Sequence, residues 1–400
     1  MKKLFFSAIL GGLTLASCSS DDDLSTEKAE IEVPATYSFE RNNTSTVSYS
    51  GQTTRIEMAS EIFSNFLNFD GASEELLLDM FANENAPFSS ADLNQSSKSV
   101  KSKVAASKLY FSSNTVESAE IRNDFESFIE VQFNEVKENK DQLAEAGKAG
   151  QIAQGDKARY VNSKGLEMDQ AFTKGLIGGL LVDQMLNNYL SQEVLDEADN
   201  RANNDAEVVN EGKAYTTMEH KWDEAYGYLY GDPSIPSKNP NAALSDNDDN
   251  LLFKYLAKVD NDEDFSGIAE EVFEAFKTGR AAIVAGDYEL RDEQVEIIRT
   301  NISKIVAIRA VYYLKAGKEQ LANGEYGAAF HSLSEGYGFI YSLRFTHNPE
   351  TGAPYISSNN VTQYLEDLME GNGFWDVTPE TLDTISEEIA APFDFTVEEA

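Results

Sequence analysis

The feature that most constrains the fold of this chain is a stretch that occurs twice. Residues 215–230 read YTTMEHKWDEAYGYLY, residues 326–341 read YGAAFHSLSEGYGFIY, and the two align without a gap. The identical pairs are Tyr215/Tyr326, His220/His331, Glu224/Glu335, Tyr226/Tyr337, Gly227/Gly338 and Tyr230/Tyr341. The chain has only 3 histidines, and two of them fall in register. An internal duplication therefore explains the match better than chance does.

A second, weaker match extends the duplicated unit. Leu181-Val182 and Tyr189-Leu190 correspond to Ile305-Val306 and Tyr313-Leu314, in the same order along the chain. Apolar periodicity predicts helices over 167–190 and 292–316, each followed by one of the repeated helices. The duplicated unit is thus at least two helices long. We predict an all-α protein built from two duplicated helical bundles.

Changes in composition divide the chain into segments. Residues 35–40 and 45–50 alternate with the period of a strand and predict a small N-terminal β-hairpin. A long helix is expected over 115–146, and irregular structure over the Gly- and Ala-rich residues 147–165. A Pro-rich, acidic loop at 231–250 separates the two halves. The predicted organisation is a signal peptide (1–17), a flexible tether (18–30), the hairpin (31–54), a first helical bundle half (55–245), a second (246–345), and a C-terminal loop with short helices (346–400).

The N-terminus predicts export and lipid anchoring. Lys2 and Lys3 precede an apolar run, and a small-residue site ends in Cys18, an arrangement that resembles a bacterial lipobox with Cys18 as the lipidated residue. The acidic run at 21–23 resembles the surface-export signal of Bacteroidota lipoproteins. We therefore expect a protein anchored in the outer membrane by lipid, surface-exposed rather than facing the periplasm. The alternative is a plain secretory signal with an incidental cysteine.

Charge and cysteine content exclude several functions. The chain has 32 basic and 69 acidic residues, a formal net charge of −37, so its surface repels nucleic acid. Cys18 is the only cysteine, which excludes a disulfide within the chain and a Cys-based metal site. No P-loop, dinucleotide fingerprint or GxSxG elbow occurs.

Each repeated helix carries two stripes when its residues are placed 100° apart. An aromatic stripe predicts packing, and Tyr226 and Tyr337 belong to it. The opposite stripe holds His220, Glu224 and Gly227 in the first copy and His331, Glu335 and Gly338 in the second. Glycine removes bulk from that face and gives room to a ligand or to another helix.

The His–Glu stripe has three interpretations: an exposed pair, an internal hydrogen-bonded pair, or a binding site. A His and a Glu at i,i+4 can share a metal ion, but metal sites use three or four protein ligands. Asp223 supplies a third in the first copy, where the second has Ser334. In the other arrangement, each copy supplies two ligands to the metal site. Without HExxH, the chain lacks the helix signature of zinc proteases.

Smaller features of the helices carry further expectations. Gly175 and Gly179 lie one turn apart and predict the close approach of a neighbouring helix. Asp169 and Asp183 lie in the same apolar helix and need partners if they are buried. His347 falls in a loop and is expected to be exposed.

The motif helices resemble those of the imelysin-like proteins: a histidine is followed within a turn by an acid, ahead of an aromatic-Gly helix end. That resemblance implies two helical bundles related by a pseudo-twofold axis, a GxHxxE motif and a link to iron acquisition. His220 and Asp223 match the histidine and acid of the motif, and Glu224 is a shifted substitute. Met218 replaces the motif's glycine. In the second copy Ala329 takes that position, and the acid, Glu335, comes one residue late.

The wider sequence resembles an uncharacterised lipoprotein family of the Bacteroidota, domain of unknown function 4856. The passages that carry this resemblance are VPATYSF at 33–39, VSYSGQT at 47–53 and KGLEMDQA at 164–171. The similarity extends over nearly all of the mature chain, whereas the imelysin-like similarity is confined to the duplication and the motif helices.

These observations predict a non-enzymatic lipoprotein that binds a ligand or partner in iron or haem acquisition. The candidate ligand or metal residues are His220, Asp223, Glu224, His331 and Glu335, with iron, another divalent metal or haem as the bound species. The expected partners are outer-membrane lipid and a TonB-dependent receptor or imelysin-like protein, and no nucleic acid. No catalytic residue is assigned. The alternatives are a metal-dependent, peptidase-like hydrolase that uses the same His/acid motif, and a purely structural interaction lipoprotein.

Overall fold

The computed structural model describes residues 31–246 and 249–400, of which those from Val33 to Ala400 form one compact unit. The predicted signal peptide, lipidation site Cys18 and tether lie outside the described residues. Within the described part, no helix has both the length and the apolar composition needed to cross a membrane. The division into two halves at 245/246 stays a prediction.

Helices account for most of the described chain, which confirms the predicted all-α class with a small N-terminal hairpin. The strands are β1 (Glu40–Arg41), β2 (Thr44–Ser45), β3 (Gly150–Gln154) and β4 (Lys157–Val161). The α-helices are α1 (Ser50–Phe66), α2 (Glu74–Ala82), α3 (Ala91–Gln95), α4 (Lys108–Phe111), α5 (Thr115–Val131), α6 (Met168–Leu176), α7 (Gln192–Leu195), α8 (Asn200–Asp205), α9 (Thr217–Tyr230), α10 (Leu252–Asp260), α11 (Ile268–Ala285), α12 (Tyr288–Ala322), α13 (Tyr326–Ser342), α14 (Ser358–Leu368) and α15 (Pro379–Ala390). Two π-helical segments continue α5 and α6, at Gln132–Val136 and Ile177–Tyr189.

The N-terminal hairpin is shorter than its alternating pattern predicts. β1 pairs with β2 over two residues on each side, and Asn42 and Asn43 form the turn with φ of 53° and 62°. Asparagine tolerates this left-handed conformation, which a two-residue hairpin turn requires at both central positions. The chain then enters α1 at Ser50, so the segment 31–54 predicted as hairpin ends in helix.

The irregular structure predicted for 147–165 is wrong, because this segment contains a second antiparallel hairpin, β3–β4. Its turn is Gly155-Asp156, with Gly155 at φ 56°. The turn dipeptide was the available signal, but the flanking strands have few of the β-branched residues that mark a strand. The helix predicted over 115–146 is also shorter, since its helical turns end at Asn139.

The two repeated helices, α9 and α13, occupy the core together with the helices that precede them. The π-helical continuation of α6 packs against α9, and α12 packs against α13, as the order of the two sequence matches predicts. α13 also packs along α6. A Cβ at Gly178 would lie 2.5 Å from Ser342 Cα, whereas at Gly175 its nearest neighbour is Tyr341 at 3.5 Å. The closest helix approach therefore lies at Gly178, between the two glycines that predicted it.

The buried aspartates of this helix both accept hydrogen bonds, although Oδ1 of Asp183 has no hydrogen-bond partner among the described residues. Asp183 accepts hydrogen bonds from the backbone N–H groups of Ala106 (3.0 Å) and Ser107 (2.9 Å). Burial raises the pKa of Asp183 to about 6 even with these bonds. Asp169 accepts a bond of 2.7 Å from the Gln170 side chain. The hydrogen bonds of Asp183 anchor the helix to the loop before α4, and the hydrogen bond of Asp169 lies within the first turn of α6.

Candidate functional site

The first copy of the repeat begins with a well-defined helix N-terminus. The Thr216 side chain accepts from the Glu219 N–H (3.3 Å), and the Glu219 carboxylate accepts from the Thr216 N–H (2.6 Å). This reciprocal capping box satisfies two backbone donors that the start of α9 leaves free. It also fixes the helical register of the motif residues that follow.

Asp223 lies at the centre of a fully buried polar network, which we call the first cluster (Tyr37, Glu219, Asp223 and Arg280). Its Oδ1 accepts from the Tyr37 hydroxyl (2.7 Å) and the Arg280 Nε (3.1 Å). Its Oδ2 accepts from the Ser48 N–H (3.1 Å). Burial raises the pKa of the Asp223 carboxyl to about 6, against the opposing effect of Arg280. Both oxygens are therefore committed to protein donors.

Arg280 joins this network to the capping box. Its Nη1 lies 3.1 Å from Glu219, and its Nη2 donates to the Thr46 hydroxyl at 2.9 Å. Arg41 reaches Glu219 from the N-terminal hairpin, with its Nη1 at 3.0 Å. The charged side chains of the first cluster thus pair with one another and fasten the hairpin to α9 and α11.

His220 and Glu224 lie beside the first cluster and contact other groups. His220 Nδ1 lies 2.9 Å from the Ser48 carbonyl oxygen, and the ring stacks on Tyr215 at 4.5 Å. Burial lowers the pKa of His220, which favours the neutral ring. Glu224 accepts from Gln52 (3.2 Å) and Lys221 (3.1 Å). In the first copy, His220 and Glu224 therefore lie side by side, and each contacts a different partner.

In the second copy the histidine touches two carboxylates. His331 Nδ1 lies 2.8 Å from Glu167 Oε2, and Nε2 lies 3.7 Å from Glu335 Oε2. We call Glu167, Asp169, Lys174, His331 and Glu335 the second cluster. The His331 side chain is 21% exposed and that of Glu335 12%, whereas Glu167 is 2% exposed, so the cluster reaches solvent mainly through the histidine.

Glu335 is held by donors from two further helices. Its Oε1 accepts from the Tyr255 hydroxyl at 3.0 Å and lies 3.5 Å from the Lys174 ammonium. Burial alone would raise the pKa of Glu335, but Lys174 and His331 outweigh it, and the pKa is lowered. Lys174 is itself fully buried, which lowers its pKa despite the neighbouring carboxylate. The pair is nevertheless assigned as ionised because the two charges compensate each other in the interior.

Glu167 is the incompletely satisfied member of the second cluster. Its Oε2 faces His331, but its buried Oε1 has no hydrogen-bond partner, and Arg159 Nε lies 3.9 Å away. Nearby, burial and then the charge of Glu167 raise the pKa of Asp169 to about 7. A buried carboxylate oxygen without a donor is unfavourable, so this position suits a ligand that brings a hydrogen-bond donor or a positive charge.

The two motif glycines serve helix packing. A Cβ at Gly227 would lie 2.5 Å from Tyr49 Cβ, and one at Gly338 would lie 2.4 Å from Lys174 Cβ. The sequence left open whether the space beside each glycine admits a ligand or another helix. In both copies a neighbouring segment of the same polypeptide fills that space. The aromatic stripe is confirmed for Tyr226, which is buried and stacks on Tyr37 with ring centroids 3.7 Å apart. Tyr337 is half-buried and lines a groove of about 840 Å³ beside α5 and α14.

The candidate metal ligands do not form a coordination site. Within the described residues, no group of three or more His, Cys, Asp and Glu side chains is arranged to hold a metal ion. Asp223 is bonded to Tyr37 and Arg280, and Glu167 and Glu335 of the second cluster contact opposite nitrogens of the His331 ring. One metal ion on either nitrogen would therefore meet only one of these carboxylates. The residues present do not fit a resident metal.

Sequence reasoning missed Arg280, Glu167 and Lys174, which supply the charged partners of the motif. Arg280 lies 57 residues from Asp223, and Glu167 lies 164 residues from His331, so helical spacing gave no sign of them. The available signal was the unusual presence of charged residues within otherwise apolar helices. His347, expected to be exposed, is 3% exposed, with its Nδ1 2.9 Å from Asn187 Oδ1.

The fold and these clusters define a helical protein whose repeated motif lies beside a buried polar network in the first copy and within a largely buried one in the second. The chain belongs to the family described as "Domain of unknown function (DUF4856)", whose model matches residues 34–396 and so includes both clusters. No curated protein and no solved structure matches the chain.

Replacing Asp169 with asparagine should change how stability depends on pH. The ordinary pKa of 3.8 applies to the unfolded chain, while in the folded protein the pKa is about 7. As pH rises through this window, the unfolded state loses the proton first, so this carboxyl destabilises the fold progressively. An asparagine side chain does not titrate, so urea unfolding should show Asp169→Asn gaining stability relative to the wild type between pH 5 and pH 8. The exposed Asp141→Asn is the control, and an equal gain there would contradict the assignment.

Proposed function

We propose that this protein is a non-enzymatic binding lipoprotein of iron or haem acquisition, anchored in the outer membrane by lipid on Cys18. The lipobox-like N-terminus and the acidic run that follows it support the anchor and its surface orientation. The Bacteroidota origin, the pseudo-twofold relation of the bundles and the link to iron rest on the resemblances of the sequence. A TonB-dependent receptor or an imelysin-like protein is the proposed partner.

The observation that carries the binding function is Oε1 of Glu167, which accepts no hydrogen bond and has Arg159 Nε 3.9 Å away. This oxygen is buried beside His331, the most exposed side chain of the second cluster. A ligand that enters past the histidine and brings a hydrogen-bond donor would satisfy it, while Glu335 is already paired with Lys174. In the first cluster, Glu219 and Asp223 are both paired with Arg280. The second copy is therefore the binding copy and the first is structural.

The geometry favours a small cationic ligand over a large planar one. Gly338 brings α6 into contact with α13, and this packing leaves no room even for an added Cβ on that face of α13. Since the carboxylates cannot share one metal ion with the histidine, iron would enter as a hydrated or chelated ion. It would bind through hydrogen bonds from its own water or chelator. This donor set also argues against the metal-dependent hydrolase, which needs an ordered metal centre.

The test uses residues 19–400, a form without the anchor that retains the compact unit Val33–Ala400. Iron, zinc and haem are titrated by calorimetry against the wild type, His331→Ala, Glu167→Gln and the matched variant His220→Ala, and bound metals are measured by mass spectrometry. We expect His331→Ala and Glu167→Gln to lose binding at least tenfold, with His220→Ala within twofold of the wild type.

Other outcomes would overturn the proposal. An equal loss in His220→Ala would contradict the assignment of binding to the second copy. No binding of any titrant, with unchanged thermal unfolding of the variants, would leave the structural interaction lipoprotein. Peptide hydrolysis that a chelator abolishes would establish the hydrolase instead.

A further inference from the structure

A second candidate site lies between α10 and α12, in a cavity of about 1010 Å³. Three basic side chains, Lys254, Lys258 and Arg309, line this cavity together with the ring of Tyr312. Their convergence is notable in a chain where acidic residues outnumber basic ones by 69 to 32. The cavity adjoins the second cluster through Tyr255, whose hydroxyl donates to Glu335 and whose ring lies 5.6 Å from the Arg309 guanidinium.

Arg309 is buried, and none of the described residues forms an ion pair with it. It is 6% exposed, and its Nε has no hydrogen-bond partner. The guanidinium lies over the rings of Tyr312 (4.0 Å) and Tyr313 (4.6 Å), and within the described residues no carboxylate lies close enough to form an ion pair with it. Buried arginines are almost always paired with an acid or an anion. An anion in the cavity would complete the hydrogen bonds of this side chain.

The two lysines bring like charges to the same wall. Lys254 and Lys258 are one helical turn apart on α10, and neither forms an ion pair within the described part of the chain. Partial burial of its side chain, followed by the charges of Arg309 and Lys254, lowers the pKa of Lys258, which is otherwise an exposed residue. Like charges held this close repel one another, and a bound anion would relieve that repulsion.

Acidic residues also line the cavity, but backbone donors occupy two of them. Asp249 accepts from the N–H groups of Leu251 (3.1 Å) and Lys254 (3.0 Å) at the start of α10. Asp262 accepts from the Asp264 N–H at 3.2 Å. Asp246 is exposed at the rim. The cavity thus has a basic wall formed by α10 and α12, and its carboxylates lie on the loops that flank α10.

We propose that Lys254, Lys258 and Arg309 bind the dianionic group of an organic phosphate monoester, with the exposed part of Tyr312 contacting the organic moiety. The guanidinium fork matches the spacing of two phosphate oxygens, and the ammonium groups compensate the second charge. The cavity is larger than a phosphate ion, which leaves room for the attached moiety. The site is separate from the His331 site and does not depend on the function proposed there.

Calorimetric titration of residues 19–400 with phenyl phosphate, inorganic phosphate and benzoate tests this site. Phenyl phosphate should bind saturably, at least threefold more tightly than inorganic phosphate because of Tyr312, and at least tenfold more tightly than the singly charged benzoate. Lys258→Glu, at an exposed position, should weaken phenyl phosphate binding at least tenfold. Lys213→Glu makes the same change of charge outside the cavity and should stay within twofold of the wild type.

Each contrary result overturns a stated part of the proposal. The site is refuted if neither phosphate binds saturably, or if Lys213→Glu weakens binding as much as Lys258→Glu. Equal affinity for benzoate refutes the dianionic group, and equal affinity for inorganic phosphate refutes the contact with Tyr312. His331→Ala should leave phosphate binding unchanged, so failure of this site and failure of the iron site are distinguished in one set of proteins.

Discussion

Replacing Arg280 with methionine should lower the free energy of unfolding by about 3–5 kcal/mol, because it leaves the buried Asp223 without its cation and Glu219 with Arg41 alone. Arg280 is 0% exposed and lies 3.1 Å from both Glu219 and Asp223. Methionine fills much of the arginine volume, so the loss reports on charge and hydrogen bonding more than on an empty cavity. Urea unfolding of residues 19–400 measures the difference.

Arg201→Met is the matched control. Arg201 pairs with Asp196, but its side chain is 48% exposed, and an exposed ion pair contributes at most about 1 kcal/mol. Adding Asp223→Asn to Arg280→Met should restore part of the lost stability, since it removes the charge that Arg280→Met leaves unpaired. A loss for Arg280→Met no larger than that for Arg201→Met would contradict a structural role for the first cluster.

Gly338→Ala should destabilise the protein by about 1–3 kcal/mol through overpacking. The added Cβ would lie 2.4 Å from Lys174 Cβ and 3.0 Å from the Gly175 backbone nitrogen, and backbone cannot move aside as a flexible side chain can. The comparison of thermal and urea unfolding with the wild type measures the loss.

Gly175→Ala, on the facing helix α6, is a control for which we expect no loss in the free energy of unfolding. A Cβ there would make ordinary contacts of 3.5 Å or more, and alanine favours a helix over glycine by about 1 kcal/mol. We therefore expect Gly175→Ala to be neutral or stabilising. If Gly338→Ala were also neutral or stabilising, the motif glycine would not be required for helix packing, and the space beside His331 would be open to a larger ligand.

The sequence predicts those parts of the fold that local periodicity controls. The repeated helices, their order after α6 and α12, and the burial of Trp222 and Tyr226 follow from apolar residues at helical spacing. The β3–β4 hairpin was missed because its short strands carry polar and small residues, so that only the Gly155-Asp156 turn marks it. Strand pairing depends on the partner segment more than on residue preference.

The candidate site was predicted only in part, because spacing along one helix shows which side chains share a face but not what that face meets. His331 and Glu335 were identified, and Glu167 was not. The same limit applies to Asp223, which the sequence proposed as a metal ligand and which instead bonds to Tyr37 and Arg280. Equivalent positions in the two copies thus acquire different partners, since the surrounding segments are not duplicated residue by residue.

We propose that the two copies of the repeat have diverged, so that the first forms a structural cluster and the second a binding cluster. The most direct test is the stoichiometry of iron bound by residues 19–400, measured by native mass spectrometry at saturating iron. We predict one bound iron species per chain, absent in His331→Ala and retained in His220→Ala. Two equivalent bound ions per chain, or one that His220→Ala removes, would contradict the account.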